Sequence, residues 1–314
     1  MSNKEKRKEL KSRIKKKRQK KYQKRVKTDE RLKAKKQKTE AKQNKKAEKL
    51  KRKEAKKKSG PVWNHEQKKF LLKQLIRRDF KSRYKRAALG VLWSMLSPLC
   101  FFAAQAVVFS KILGRGEHYI AYLITGNIVF HYFSDATTNS MFALQANGGI
   151  ISKIKVDKDM FLFSRSISCL INFFFTAAVM FFIIAIDHIP FHLNFLLLIF
   201  PVICLFFMNM GIGYILSALF VLFKDTQYLY SIFTRILIYF SAIFYYTDRF
   251  PEPLQNVFYC NPVYCYICYF RSIIIDNTIP SLFIHGLCIG FPILFMLIGK
   301  IVYKVNDNKF AYYF

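Results

Sequence analysis

From Val91 onward, apolar runs of membrane-crossing length alternate with short breaks rich in charge, Pro or Gly. Runs near 20 residues with few ionisable groups predict membrane helices, and six are placed at 91–112, 119–141, 162–186, 194–222, 229–247 and 281–302. Ahead of them the period changes. On a helical wheel Leu71, Leu72, Leu75, Ile76 and Phe80 share one face and Lys73, Arg77, Arg78, Lys81 and Lys85 the other. That division predicts a helix lying in a membrane interface, with Trp93 at the depth an interfacial aromatic takes. Asp79, Arg83 and Arg86 project to the apolar side. Either an Asp79–Arg83 pair one turn apart neutralises them, or the arginines offer fork-shaped donors to a phosphate or a partner subunit.

One stretch, Asp248 to Asn277, is too apolar for an ordinary loop and too broken for a span. It holds Pro251, Pro253 and Pro262 and then the aromatic run Tyr264 to Phe270. A short re-entrant helical pair between the fifth and sixth spans is expected, since irregular backbone at membrane depth must pack on protein or line a cavity. The fold class is therefore an all-α integral membrane protein: six transmembrane helices, an amino-terminal amphipathic interface helix and a re-entrant segment.

Charge divides the chain. Its 314 residues carry a net charge of +33, yet residues 1–60 alone hold 30 Lys and Arg against seven Asp and Glu. The organisation expected is a lysine-rich cytoplasmic arm over 1–60, disordered or helical, the interface helix over 61–90 and the membrane domain over 91–314. The arm reads as a solvated segment attracted to anionic headgroups. Its composition does not separate that role from binding nucleic acid, a ribosome or a polyanionic substrate, although nucleic acid is not the expected partner. Lys153, Lys155 and Lys158 follow the second span, Lys224 the fourth, and Lys300, Lys304 and Lys309 the sixth. Only Lys111, Arg115, Arg249 and Arg271 lie on the opposite side, so both termini are expected in the cytoplasm of a multi-pass protein of the cell membrane.

Candidate chemistry is sparse. Gly114/Gly116 and Gly211/Gly213 lack the Lys-Ser or Lys-Thr of a phosphate-binding loop, so work driven by nucleotide has to come from another polypeptide. Cys260, Cys265 and Cys268 have the spacing of iron–sulfur ligands, but their apolar aromatic setting favours a disulfide or uninvolved thiols. His188 and His192 are four apart, with Pro190 between them arguing for a turn. No metal site and no catalytic residue is expected. Charges within spans are costly and face a bundle interior or a cavity. Asp135 is expected to pair with Arg165 or Arg235 near the inner mouth of a pathway. Among the tyrosines, Tyr122, Tyr132, Tyr239, Tyr245 and Tyr246 need polar neighbours, and such rings suit a passage for sugars.

Lys81-Ser82-Arg83-Tyr84-Lys85, then Leu89-Gly90-Val91-Leu92-Trp93 and Pro98, resemble the opening motif of ABC-2 type membrane subunits that export lipid-linked polysaccharides and teichoic acids. Asn147 with Lys153-Ile154, Phe223-Lys224-Asp225, Tyr259-Cys260-Asn261-Pro262 and Phe270-Arg271 follow in the same order. The resemblance covers about residues 66–314. It implies a homodimer with a channel near the subunit interface, a lipid-linked glycan as cargo, and a separate ABC ATPase that holds the ATP and magnesium, with no cofactor on this chain. By the same resemblance, Gly149 to Asp159 forms a coupling helix, with Gly149, Ile150, Ile151, Ser152, Lys153, Ile154, Lys155 and Asp157 meeting the ATPase. Arg83, Lys85 and Arg86 would meet membrane lipid and the carrier's pyrophosphate. Tyr122, Tyr132, Asp135, Arg235 and Tyr239 are the channel-lining residues expected. Asp157 stands where the family commonly has a proline, and the lysine-rich arm is outside the family pattern. Two other readings are a membrane-protein insertase with a ribosome-binding tail and an ABC-2 exporter of drugs or lipids.

Overall fold

The computed structural model describes residues 64–84, 92–112, 118–153 and 156–310. Among these residues every regular element is helical. In chain order they are α1 (His65–Tyr84), α2 (Leu92–Ile112), α3 (Tyr119–Met141), the single turns α4 (Ala143–Ala146) and α5 (Gly148–Ile151), α6 (Asp159–Ile186), and a 3-10 turn (Leu193–Leu198) leading into α7 (Ile199–Leu222). After them come α8 (Thr226–Phe240), α9 (Glu252–Phe258), α10 (Pro262–Ile274) and α11 (Leu282–Phe310).

α1 starts where Asn64 donates its backbone N–H to Oε1 of Gln67 at 3.0 Å, half of a capping box, and Glu66 lies in the first turn where the helix dipole favours an acid. Its predicted polarity holds: Leu75 is buried and Lys73, Arg77, Arg78 and Lys81 are exposed. The surface it meets differs from expectation. The apolar face packs on α6 rather than on lipid alone, and Phe80 comes within 6.3 Å of Phe175.

The centre of the bundle is α3. It packs against α6, α7 and α10, and 16 of its 23 residues are buried. Within a bilayer, apolar burial alone does not drive helices together, and close backbone approach through small residues takes its place. α7 and α11 meet in this way: an added Cβ at Gly211 would come within 2.5 Å of the Phe295 carbonyl carbon, and one at Gly299 would collide with the Gly211 carbonyl oxygen.

Three helical segments are long and apolar enough to cross a membrane: Asp159–Ile186, Leu193–Leu222 and Leu282–Asp307. The other three predicted runs are helical but fall short of that measure. In α2 the apolar part is Met95–Phe109, and α3 carries Thr125, Asn127, Asp135, Thr137 and Asn139. The fifth run, expected over 229–247, ends early. α8 stops at Phe240 after 15 residues, a length of about 22 Å, because Ala242 turns into the left-handed region (φ 48°). The predicted helical pair is present as α9 and α10. Asn261 caps α10 by accepting the Val263 N–H at 3.0 Å, with Pro262 at the first helical position where no N–H is needed.

Candidate functional site

At one end of the bundle the segment after α3 breaks into α4, α5 and a turn. Among the described residues of the coupling helix expected from Gly149 to Asp159, helix covers Gly148–Ile151, and Asp159 already belongs to α6. Beyond Ile154 and Lys155, two adjacent residues contact two other helices. Lys68 Nζ on α1 donates to Asp157 Oδ2 at 2.5 Å, and Lys158 Nζ donates to Asp307 Oδ1 at 2.5 Å and to the Asp307 carbonyl at 2.7 Å. Asp157 thus has an ionic partner on α1. Gly149, Ser152 and Lys153 are exposed, Ile150 and Ile151 half-buried, and Ile154 and Lys155 lie outside the described residues.

Deeper on the same side, Asp79 of α1 is buried and receives Ser164 Oγ at 2.7 Å and Arg78 Nη2 at 2.8 Å. Arg165 Nε is 3.6 Å from Asp79 Oδ2, the oxygen that accepts from Ser164. The expected pairing of Arg165 with Asp135 is therefore replaced by one with Asp79. The Asp135 carboxylate accepts instead from Asn139 Nδ2, one turn along α3, at 2.8 Å. Lys85, Arg86 and the side chain of Arg83 lie outside the described residues.

At the opposite end, the carbonyls freed where α8 stops are taken one by one by side chains of α3 and α10. Tyr119 donates to the Phe244 carbonyl at 2.9 Å and Tyr122 to that of Tyr245 at 2.8 Å. Arg271 donates to the carbonyls of Ala242 at 3.0 Å and Ile243 at 3.1 Å, and also to that of Tyr122. Asn261 Nδ2 reaches the Phe240 carbonyl at 3.2 Å. A buried backbone break needs partners of this kind. Beside it is a cavity of about 300 Å³ lined by Tyr122, Tyr246, Asp248, Gln255, Tyr259 and Asp276. Burial pushes the Asp276 carboxyl up, the charge of Asp248 adds to this, and Arg271 partly offsets both.

The five predicted channel residues separate into three settings. Tyr122 is engaged at the break, Tyr132 is buried against Phe173 with ring centroids 4.7 Å apart, and Asp135 is half-buried beside it on α3. Arg235 and Tyr239 instead share the open face of α8 with Tyr228, Ile232 and Ile236, all exposed. Tyr245, also singled out by sequence, donates to the Tyr239 carbonyl at 2.7 Å. The residue that sequence reasoning missed is Arg271. Read as a positive charge on the outer side, it is 6% exposed and holds the break together. Its signal was the arginine within an otherwise apolar helix.

The remaining motifs have plain roles. None of the seven cysteines is in a disulfide, and Cys265 Sγ lies 3.4 Å from the Tyr259 carbonyl. His188 opens a turn with φ 58°, as Pro190 implied, and Asp187 pairs with His118 at 3.1 Å.

The chain is similar to the O-antigen export system permease protein RfbA of Klebsiella pneumoniae, 27% identical over 245 residues that make up 77% of this chain and 93% of the relative. It is similar also to the polysialic acid transport protein KpsM of Escherichia coli, 22% identical over 251 residues, 77% of this chain and 96% of the relative. A second RfbA, from Myxococcus xanthus, is 20% identical over 217 residues, 67% of this chain and 82% of the relative. The family described as ABC-2 type transporter matches residues 71–275, from the first turns of α1 to the end of α10, and the chain is a membrane protein belonging to that family.

Proposed function

We propose that this chain is the membrane-spanning subunit of an ATP-driven exporter that moves lipid-linked polysaccharide or teichoic acid across the cytoplasmic membrane. It works as a homodimer with a separate ATPase subunit that holds ATP and magnesium. Support comes from the names of the relatives, which export O-antigen or transport polysialic acid, and from the lack of any phosphate-binding loop in the sequence. The insertase reading drew on the lysine-rich arm, which lies outside the matched residues.

The observation that carries the proposal is the open face of α8. Arg235 is exposed there among Ile232, Ile236 and Tyr239 on a helix of apolar character. A guanidinium facing lipid at that depth is costly and instead turns to a protein partner or an aqueous path. A second copy covering α8 supplies both. Tyr228 and Tyr239 then offer ring faces to sugars and hydroxyls to their polar edges.

In this reading the six apolar segments form the membrane domain, five of them crossing the bilayer by themselves, and both termini are cytoplasmic. α8 is too short to reach the outer surface alone, and α9 with α10 completes the layer as a re-entrant pair, α10 packing on α3 and α11. The exposed Gly149, Ser152 and Lys153 and the half-buried Ile150 and Ile151 face the ATPase, while Arg83, Lys85 and Arg86 meet lipid headgroups and the carrier's pyrophosphate.

The test is co-expression of the full chain with the candidate ATPase in a polymer-producing host. A cysteine at Tyr239 should cross-link two copies, and Arg235→Glu should abolish surface polymer while the ATPase still copurifies. Normal polymer display with Arg235→Glu and no cross-link would reject the channel at α8. Copurification of an ATPase with efflux of small amphiphiles instead of polymer would reassign the cargo to drugs or lipids.

A further inference from the structure

We infer that Asp157 and Lys158 are positioning residues that divide the motion of the loop after α5 unequally, carrying α11 along through Lys158 and letting go of α1 through Asp157. The inference rests on the coupling role proposed above for that loop. Adjacent residues of opposite charge reach in different directions: Asp157 takes Lys68, 89 positions earlier, and Lys158 takes Asp307, 149 positions later. The first and last described helices are thereby tied to a single peptide unit.

The two ties differ in strength. The Lys68 and Asp157 side chains are 42% and 60% exposed, so water and salt weaken their attraction. The Lys158 side chain is 17% exposed, bonds both the carboxylate and the carbonyl of Asp307, and lies 5.2 Å from the ring centroid of Phe310. Phe310 is itself fully buried in the cluster that contains Leu144, Tyr214 and Tyr303. Lys158 is therefore anchored to α11 by three contacts, and Asp157 to α1 by one exposed ion pair.

Behind Asp157 and Lys158 is space rather than packed core. A cavity of about 680 Å³ lies between these two residues and α11, lined also by Ile151, Val156, Met160, Tyr214, Lys300 and Lys304. A loop held across a gap by ionic contacts can be displaced without disrupting an apolar core. A push on it should release the weaker Lys68–Asp157 tie first while α11 moves with Lys158. α1 is left in place by its buried Asp79, which stays bonded to Ser164 of α6.

The experiment uses the full chain with its ATPase in lipid nanodiscs and in cells, reading ATP hydrolysed per polymer exported and ATPase copurification. Lys158→Asp should raise the ratio about five-fold, which is about 1 kcal/mol, and Lys158→Asp with Asp307→Lys should bring it back. Paired cysteines keep the test valid if a reversal fails to fold. Oxidising Lys68→Cys with Asp157→Cys should stop export until reductant is added, whereas oxidising Lys158→Cys with Asp307→Cys should leave export nearly unchanged. Export that is indifferent to the Lys68–Asp157 lock would overturn the inference. Ile150→Asp separates the two levels of the argument. If it leaves ATPase binding and stimulation intact, the coupling role of the loop fails. If it uncouples while the Lys158 and Asp157 variants behave as wild type, the division of motion alone fails.

Discussion

Arg271 holds its guanidinium 3.3 Å from the centroid of the Tyr122 ring, and from that position donates to the carbonyls of Tyr122, Ala242 and Ile243. One residue of α10 thus joins the start of α3 to the end of α8. Gly126 makes room for it, since an added Cβ there would be 2.7 Å from Arg271 Nη2.

Arg271→Met should destabilise the protein by about 3 kcal/mol or more, because it leaves buried carbonyls without donors. Arg271→Lys keeps the charge but not the planar fork, and should recover less than half of the loss. Thermal unfolding of the purified chain in lipid nanodiscs measures both. A melting temperature for Arg271→Met equal to wild type would mean that the break is held by other contacts.

The contact between α7 and α11 predicts a steric effect. Gly211→Val forces backbone apart where the Cβ has no space, at a cost of about 1–3 kcal/mol or more. Gly286→Val in α11, where a Cβ meets nothing within 4 Å, should be nearly silent. Comparing the yield of folded protein and the unfolding temperature of the two variants checks the contrast.

Asp79 links α1 to α6 through Ser164 and Arg165. Asp79→Ala and Arg165→Met should each destabilise the chain, and the double variant should lose about 1 kcal/mol less than the sum, the signature of a direct interaction. Strict additivity would show that the two charges do not feel each other.

Asp276 supplies a pH dependence whose sign is fixed. Its folded carboxyl binds a proton more readily than the unfolded one, whose ordinary value is 3.8. The stability it contributes is therefore fully present below 3.8 and is lost as pH rises through the raised folded value. Wild type minus Asp276→Asn should show stability falling with rising pH across that acidic window. A flat difference would place the carboxyl in free water.

Removing residues 1–60 takes away a net charge of +23. The shortened chain should still assemble, while losing salt-sensitive attraction to vesicles rich in phosphatidylglycerol, an effect of about 1 kcal/mol for each basic residue near the surface. Flotation of the arm, as a peptide, with neutral and anionic vesicles at two salt concentrations measures it.

Periodicity made the helices legible, because a run such as Phe161 to Ile186 has one stable solution in hydrocarbon. Their ends were harder. Nothing at Ser241-Ala242 punctuates the chain as Pro or Gly would, and the break there depends on Tyr119, Tyr122, Asn261 and Arg271, donors contributed from distant positions. The loop after α5 escaped for the same reason: Asp157 and Lys158 are ordinary charges until Lys68 and Asp307 are beside them. Amphipathic spacing foresaw the face of α1 correctly, yet could not tell whether lipid or α6 would cover it.

The polar character of α3 has a consequence for how the chain is made. A helix bearing Thr125, Asn127, Asp135, Thr137 and Asn139 partitions poorly into hydrocarbon by itself, and the helices that shelter it, α6, α7 and α10, are all synthesised later. During biogenesis it must wait near the insertion machinery until those partners emerge. Premature release of the nascent chain before Asp159 would then leave the centre of the bundle with α2 as its one long helical neighbour and expose it to quality-control proteases.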